Sequence, residues 1–270
     1  MLPLWVIDFI KKNFRYRFFY ARLTRIPVIG GIVDRLFFHK DDMVYLPKDS
    51  VVVEINQEIP FTNIVLPSQI VDRFIDEADT HFVMNFCICR DSNQCKDYPI
   101  DLGCLFMGEA AAKIDPRLGR LVTREEAHQH VERARENGLV HLIGRNKLDA
   151  VWLDTGPDEK LMTVCNCCPC CCLWKMLPNL GDHISEKITA MEGVQVNVSD
   201  NCVGCGTCVD TCFVNAINIE AGRATISDEC RGCGRCVEAC PEKAIVLTVD
   251  NDSVDKTYTR ISDTLDINGC

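Results

Sequence analysis

Apolar positions recur along the chain at both strand-like and helix-like spacings, which predicts a mixed fold. The stretch VVVEI at 51–55, apolar except for Glu54, has the length of a short buried strand. Apolar residues three and four apart after Ser68 predict a helix through about Ala78, with Ser68 as its N-cap. The tetrapeptide at 123–126 has the form of a capping box, so we expect a second helix to begin there and to end at Gly138. The expected fold class is therefore α+β.

Aromatic and basic residues are mixed in the first 40 residues, where Pro27 and the Gly30-Gly31 pair predict two short helices with a break between them. Eight Lys and Arg against two Asp give residues 1–40 a net charge of +6, whereas the whole chain carries −10. This segment can pack on its own domain, or it can lie on an anionic membrane or dock on a partner complex. The acidic remainder argues against nucleic acid and suits a basic redox partner protein.

Composition divides the chain into four parts, two of which are long enough to be domains. A basic and aromatic N-terminal segment precedes a mixed, cysteine-rich α/β domain. A smaller module with an internal repeat follows, and then a polar tail that we expect to be loose. The polar stretch at 179–193 is expected to link the two domains. The four parts are residues 1–45, 46–193, 194–250 and 251–270.

Cysteine is unusually frequent, with 19 among 270 residues. The count is odd and two runs contain adjacent cysteines, which argues against a disulfide framework. The initial MLPLWVIDFIKK places its apolar stretch before its charges, the reverse of a secretory signal, and no uncharged apolar run is long enough to span a membrane. We therefore expect a cytoplasmic location, on the inner face of the membrane if the basic segment binds lipid. In that reducing compartment dense cysteine indicates metal.

Residues 194–250 contain a repeat with an offset of 28 residues, each half having a strand, a C-x2-C-x2-C-x3-C loop and a helix. This predicts a pseudo-twofold domain. Three closely spaced cysteines reach one cubane, while the fourth points to the cubane of the other half. One [4Fe-4S] cluster is therefore assigned to Cys202, Cys205, Cys208 and Cys240, and a second to Cys230, Cys233, Cys236 and Cys212.

The repeat module resembles the bacterial two-cluster ferredoxin domain, with all eight cysteines present. Paired zinc sites are the alternative, which the third cysteine of each loop, the repeat itself and Pro241 oppose. The chain departs from the family at Phe213, where proline usually follows the ligand cysteine. This departure concerns packing or potential around the second cluster rather than its ligands.

Ten further cysteines precede the module, and their density indicates additional metal. We expect one or two more iron–sulfur centres. Zinc held by Cys87, Cys89, Cys95 and Cys104 is the main competitor. Only the terminal Cys270 belongs to no motif and is expected to be a free thiol. The ten candidate ligands are Cys87, Cys89, Cys95, Cys104, Cys165, Cys167, Cys168, Cys170, Cys171 and Cys172.

Most of the chain also resembles a family of uncharacterised ferredoxin-like proteins from anaerobic archaea and bacteria. The matching pieces are Cys87-Ile88-Cys89-Arg90, Cys95, Pro99, Gly103-Cys104, Glu125-Glu126-Ala127, Gly138-Leu139-Val140-His141 and the run from Cys165 to Cys172. The resemblance implies anaerobic redox work and brings no assigned substrate.

Three histidines and one arginine are also candidates for a role. His128 and His130 lie two apart on a helix, thus on different faces, and are expected at the surface. His141 is a candidate cluster ligand, proton donor or packed core residue. Arg90 either stabilises cluster charge or forms a salt bridge with Asp91 or Asp97.

These features predict an iron–sulfur electron-transfer protein, with two [4Fe-4S] clusters in the C-terminal module and further centres on the N-terminal cysteines. The alternative is an oxidoreductase whose N-terminal cluster reduces a substrate. A third possibility is a scaffold that passes clusters on. Carrier and enzyme are both compatible with the sequence.

Overall fold

The computed structural model describes residues 3–54 and 66–267, and within these ranges it contains eleven α-helices and twelve strands. The helices are α1 (Leu4–Asn13), α2 (Arg17–Leu23), α3 (Pro27–Phe37), α4 (Ser68–Glu77), α5 (Ile88–Ser92), α6 (Arg124–Glu136), α7 (Lys147–Leu153), α8 (Asp182–Ser185), α9 (Thr207–Thr211), α10 (Arg235–Ala239) and α11 (Ser253–Ser262). The strands are β1 (Asp42–Tyr45), β2 (Val52–Glu54), β3 (His81–Met84), β4 (Leu105–Met107), β5 (Gly119–Val122), β6 (Val140–Arg145), β7 (Met162–Cys167), β8 (Ile188–Ala190), β9 (Val194–Val198), β10 (Ile217–Glu220), β11 (Arg223–Ile226) and β12 (Ile245–Val249). The α+β class is confirmed.

A seven-stranded sheet in the order β5-β3-β4-β7-β6-β1-β8 is the centre of the N-terminal part. Neighbouring strands are antiparallel except β8, which is parallel to β1. Successive strand residues point to opposite faces. Val44 and Ile143 therefore pack with α4, α6 and α11, while Met43 and Leu142 pack with Trp174 on the other face. Both faces are covered, which buries the central strands and makes them rigid supports for the cysteines at their ends.

The C-terminal module has the pseudo-twofold arrangement that its repeat predicts. One half consists of β9, α9 and β10, and the other of β11, α10 and β12. β9 pairs with β12 and β10 with β11, so the first strand of each half pairs with the last strand of the other. On its free side β12 pairs in parallel with β2, placing Leu247 opposite Val52. The module therefore shares a sheet with the N-terminal part.

The predicted helices after Ser68 and at 123–126 are present as α4 and α6. The capping box is confirmed, since Thr123 accepts from the Glu126 N–H and Glu126 accepts from the Thr123 N–H. Gly138 follows α6 with φ of +70°, the left-handed conformation that glycine favours. The predicted cap at Ser68 is wrong, because Pro67 occupies the N-cap position and Ser68 is already helical.

The predicted break at Pro27 is present, since α2 ends at Leu23 and α3 begins at Pro27, but the predicted break at Gly30-Gly31 is wrong. Pro27 begins α3, a position where its missing N–H costs nothing, and both glycines lie inside this helix. Gly30 allows a close approach, since a Cβ there would lie 2.1 Å from the Thr24 carbonyl oxygen. Within the described ranges no helix combines the length and apolar character needed to cross a membrane.

Two further expectations meet a different outcome. The stretch 179–193 contributes β8 to the seven-stranded sheet instead of forming only a linker. The tail, predicted to be loose, forms α11, which buries Val254 and Ile261 against the core. The strand predicted at 51–55 is present as β2, which begins at Val52. Ile55 and Cys270 lie outside the described residues.

Candidate metal centres

The N-terminal cysteines meet at the end of the seven-stranded sheet where β3 and β7 finish and β4 begins. Cys87 and Cys89 lie at the start of α5, shortly after β3. Cys104 directly precedes β4. Cys165 and Cys167 close β7, and the rest of the run follows them. Rigid strand ends therefore position thiols that are far apart in sequence.

Seven of these cysteines line one cavity, which we call the six-thiol cavity after the six that belong to no other cluster. These six are Cys87, Cys89, Cys104, Cys165, Cys167 and Cys172. About 50 Å³ of the cavity is open to a water-sized molecule. The Cys104 and Cys165 sulfurs lie 3.6 Å apart. The neighbouring Cys89 thiol lowers the pKa of Cys87 to about 7, so a thiolate forms there near neutral pH. Thiolates are the form that binds metal.

The other four cysteines form a separate cluster, which we call the four-thiol group. Its members are Cys95, Cys168, Cys170 and Cys171. Among the described residues, this is the one group of metal-ligating side chains that has all its ligand atoms within 4.8 Å of one another. Cys168 also reaches the wall of the six-thiol cavity. The four cysteines that the sequence suggests as zinc ligands are therefore not brought together. Cys95 lies with the four-thiol group, whereas Cys87, Cys89 and Cys104 line the six-thiol cavity.

Arg90 lies fully buried between the two sets of cysteines. Its guanidinium donates hydrogen bonds to the carbonyls of Pro99, Leu102 and Asn166. The expected salt bridge with Asp91 or Asp97 is absent from the described contacts, and Asp91 instead pairs with Lys11 at 2.7 Å. Arg90 therefore ties the two cysteine segments together through their backbone.

Three buried or half-buried arginines supply positive charge to the thiols. Burial alone lowers the pKa of all three, and neighbouring thiolates oppose this effect. The thiolates raise the pKa of Arg90 and Arg235 above the ordinary value, whereas burial prevails at Arg17. The thiolates involved include Cys87, Cys168 and Cys104 at Arg90, and Cys233, Cys167 and Cys172 at Arg235. This end of the sheet is thus built to hold anionic sulfur.

A buried polar network fixes the β7 segment that carries Cys165 and Cys167. Asn166 accepts a hydrogen bond from His141 Nδ1, 2.9 Å away, and donates one to the Gly103 carbonyl at 2.7 Å. Arg135 Nε donates to His141 Nε2, which defines the neutral tautomer with its proton on Nδ1. His141 is therefore a packed core residue. His130 is buried as well and hydrogen-bonds to Gly103, contrary to its expected place at the surface.

Stability should fall as pH drops below neutrality because His141 is buried. Burial lowers its pKa to about 3, below the ordinary value of 6.5, so the unfolded chain binds the proton first. We expect this histidine to lower the free energy of unfolding by about 1 kcal/mol when the pH falls from 7 to 5.5. Comparing urea unfolding of the wild type with that of His141→Gln at both pH values checks the prediction, and an equal pH slope in both proteins contradicts it.

The basic N-terminal segment packs partly over the cysteine site. Lys11 lies 4.0 Å from the Phe86 ring centroid and pairs with Asp91 of α5. Ile7 and Phe14 are buried, and Arg17 lies close enough to Cys89 for an electrostatic interaction with its thiolate. This segment therefore packs on its own domain with one face, while its outer face remains exposed.

In the C-terminal module, the first predicted ligand set surrounds one pocket. This pocket, of which about 10 Å³ is open to a water-sized molecule, is lined by Cys202, Cys205, Cys208 and Cys240. Cys205 is exposed and Cys208 is buried. The pocket is smaller than the six-thiol cavity, and its four thiols come from a loop of one half and a helix end of the other.

The second predicted set is also brought together. Burial raises the pKa of Cys236 to about 12, and the neighbouring thiolates of Cys233, Cys230 and Cys212 act in the same direction. Backbone N–H groups donate to sulfur equivalently in both halves, from Ala216 to Cys212 and from Ala244 to Cys240, each at 3.3 Å. Four thiols per site with N–H···S donors fit two cubanes.

The fold of the module and its two thiol sets define an iron–sulfur protein of the ferredoxin-like class. Residues 201–245 match the family model of the 4Fe-4S dicluster domain. No curated protein and no solved structure matches the chain. The match covers the C-terminal module, and what the N-terminal cysteines hold has to be argued from their geometry.

Phe213 links the second ferredoxin set to the six-thiol cavity. It directly follows Cys212, is buried, and has its ring centroid 5.0 Å from that of Tyr45. The Tyr45 hydroxyl lies 4.0 Å from the Cys167 sulfur and 3.9 Å from that of Cys172. The phenylalanine that departs from the ferredoxin pattern therefore packs between the C-terminal module and the N-terminal part.

Proposed function

We propose that this chain is an electron-transfer protein with two [4Fe-4S] clusters in its C-terminal module and a third iron–sulfur centre in the six-thiol cavity. When bound, these groups supply one-electron oxidation and reduction. The continuous contact from Cys212 through Phe213 and Tyr45 to the Cys167 and Cys172 thiols carries the proposal. It places the second ferredoxin site and the cavity on opposite sides of a single pair of aromatic rings.

Arg235 strengthens this contact from the ferredoxin side. It begins α10, next to the cluster loop, and donates to the Cys167 carbonyl of β7. Its guanidinium carbon lies 5.6 Å from the Phe213 ring centroid. A buried cation shared by Cys233 and Cys167 favours the reduced, more negative state of whatever is bound on either side.

Metal analysis tests the proposal. After anaerobic purification we expect more iron and sulfide than the about eight of each that two cubanes require. The double variant Cys167→Ser, Cys172→Ser should fall to about eight and keep the EPR signals of the C-terminal module. The control Cys205→Ser should lose iron from that module alone. About eight irons in the wild type, unchanged in the double variant, would refute a third centre.

Tyr45→Phe should shift the reduction potential of the N-terminal centre. The substitution removes a hydroxyl beside two sulfurs, and a hydrogen bond of about 1 kcal/mol corresponds to about 40 mV for one electron. The potential should fall because the lost donor stabilises the reduced state. An EPR-monitored redox titration measures it. Tyr16→Phe, at an exposed position, is the control, and equal potentials in both variants contradict the prediction.

A substrate-reducing oxidoreductase is the second candidate. The observation that favours it is the surplus of thiols, since six thiols besides Cys168 line a cavity where a cubane needs four. The cavity also opens to solvent. Cyanide, a ligand for an open iron, should then change the EPR signal of the N-terminal centre and leave the C-terminal signals unchanged. An electron carrier with fully ligated iron shows no such change.

We further propose that the outer face of the N-terminal segment docks on an anionic membrane, on the cytoplasmic side. It combines exposed cations with nine exposed large apolar side chains. These are Trp5, Phe9, Tyr16, Phe19, Tyr20, Ile26, Val28, Ile32 and Leu36. Trp5 and Val28 are 67% and 73% exposed. Such a surface matches the interface of an anionic bilayer in both charge and polarity, while the acidic remainder stays available to a basic redox partner.

Vesicle flotation tests the docking. The full chain should float with vesicles containing phosphatidylserine and sink with purely zwitterionic ones. The variant Trp5→Ser, Phe9→Ser, Phe19→Ser should bind at least about tenfold more weakly, because each exposed ring contributes apolar area. Leu121→Ser, an exposed apolar residue on β5, is the control. Equal flotation of the wild type and the triple variant would contradict docking through this face.

The resemblance to ferredoxin-like proteins of anaerobes agrees with this function. We propose that the chain belongs with them as a whole and works without oxygen. Exposed Cys205 and the half-exposed thiols of the N-terminal groups support this, because accessible thiolates and clusters are the ones that oxidants attack. Exposing the purified protein to air should therefore bleach it.

A further inference from the structure

We infer that the four-thiol group is a separate site that holds a single tetrahedral zinc ion. The ten N-terminal cysteines then serve two purposes, and only the six-thiol cavity belongs to the redox centre. Cys95, Cys168, Cys170 and Cys171 form the zinc site. This assignment stands independently of the proposed electron transfer, because zinc carries no redox chemistry.

The spacing of the sulfurs carries the inference. Zinc–thiolate bonds of about 2.3 Å place tetrahedral ligands about 3.8 Å apart. The Cys95 and Cys170 sulfurs lie 3.6 Å apart, and all four sulfurs lie within 4.8 Å of one another. A cubane presents its four thiolates on four different irons, so its ligands lie farther apart than those around one ion. The four-thiol group is too compact for that role.

The local chain geometry also matches a zinc site. Cys168 and Cys171 have the C-x2-C spacing of structural zinc ligands. The Cys171 N–H donates to the Cys168 sulfur at 3.3 Å, which orients both thiols to the same side. Cys168 and Cys171 are buried and pack against Leu102 and Leu139. Among divalent ions zinc binds such sulfur sites more tightly than iron does.

The ion would hold the walls of the six-thiol cavity in place. Cys95 lies just beyond α5, whose first turn carries Cys89. The other three ligands lie between Cys167 and Cys172, both of which line the cavity. One ion therefore joins two segments that are 75 residues apart, and through its ligand Cys168 it fixes part of the cavity wall.

Zinc and iron analysis of the same anaerobic sample tests the inference. From cells grown with zinc, the full chain should contain one zinc per chain, and zinc-edge X-ray absorption should show four sulfurs at about 2.3 Å. Cys170→Ser should weaken zinc binding by at least about tenfold, since even outer contacts cost that much. The matched control Cys205→Ser replaces a cysteine outside the four-thiol group, so this variant should keep its zinc. If Cys170→Ser fails to fold, the absorption spectrum of the wild type still decides.

Several results would overturn the assignment. These are a wild type without zinc, a zinc spectrum with fewer than four sulfurs, and a Cys170→Ser protein that keeps its zinc. Loss of about four irons in Cys170→Ser with zinc unchanged would mean a cubane at this position instead. The iron count in Cys167→Ser, Cys172→Ser tests the proposed function separately, so either idea can fail alone.

Discussion

Arg90→Met is expected to lower the free energy of unfolding by about 3–5 kcal/mol. The methionine replaces the aliphatic stem of the side chain but leaves the three carbonyls that Arg90 binds without a donor. It also removes the cation that faces Cys87, Cys104 and Cys168. We therefore expect the N-terminal part to lose metal as well as stability, measured as the urea midpoint and the iron and zinc content of the anaerobic protein.

Two variants separate charge from geometry at this position. Arg90→Lys keeps a cation but cannot make three hydrogen bonds in a fixed plane, so its effect should be intermediate. Arg133→Met removes an exposed arginine and should stay within about 0.5 kcal/mol of the wild type. If Arg90→Met behaves like Arg133→Met in midpoint and metal content, the role assigned to Arg90 is wrong.

Phe213→Ala is expected to lower the free energy of unfolding by about 3–5 kcal/mol, the usual effect of truncating a buried aromatic side chain. Phe213 is buried between the ferredoxin module and the seven-stranded sheet, and its loss leaves Tyr45 without its ring partner. The cost should therefore appear as a weakened contact between the two parts. Urea unfolding followed by near-ultraviolet circular dichroism reports it.

A milder substitution tests the functional side of the same contact. Phe213→Leu fills most of the volume but removes the aromatic ring, so the protein should fold with its full iron content. Reduction of the N-terminal centre by dithionite should then slow relative to that of the C-terminal clusters, as followed by freeze-quench EPR. Phe9→Ala, an exposed ring, is the control for both measurements. An unchanged reduction rate in Phe213→Leu would remove Phe213 from the proposed route.

The C-terminal module could be predicted from the sequence almost completely because a repeat constrains both halves at once. The strand, loop and helix of one half recur 28 residues later, and the structure gives α9 and α10 at that same offset. The crossing of Cys212 and Cys240 to the opposite site follows from the same symmetry. The packing role of Phe213 could not be predicted, because its partner Tyr45 lies in a strand that is distant in sequence.

The division of the N-terminal cysteines could be predicted only in part. Cys165 and Cys167 share a face because strand residues alternate, and this places Asn166 on the other face with His141. After β7 the chain turns at Pro169, and spacing alone does not say which thiols face the cavity. The joining of Cys95 to this turn depends on the fold between them, which the spacing of cysteines does not encode.

The pairing of β2 with β12 has a consequence for how the protein is made. The last strand of the iron–sulfur module leaves the ribosome long after β2, yet it needs β2 to cover its edge. A nascent chain must therefore keep β2 unpaired until the C-terminal module has been synthesised. Expressing residues 194–267 alone would leave the edge of β12 open to other chains. We therefore expect cluster insertion to be completed late, on a chain that has already folded its N-terminal sheet.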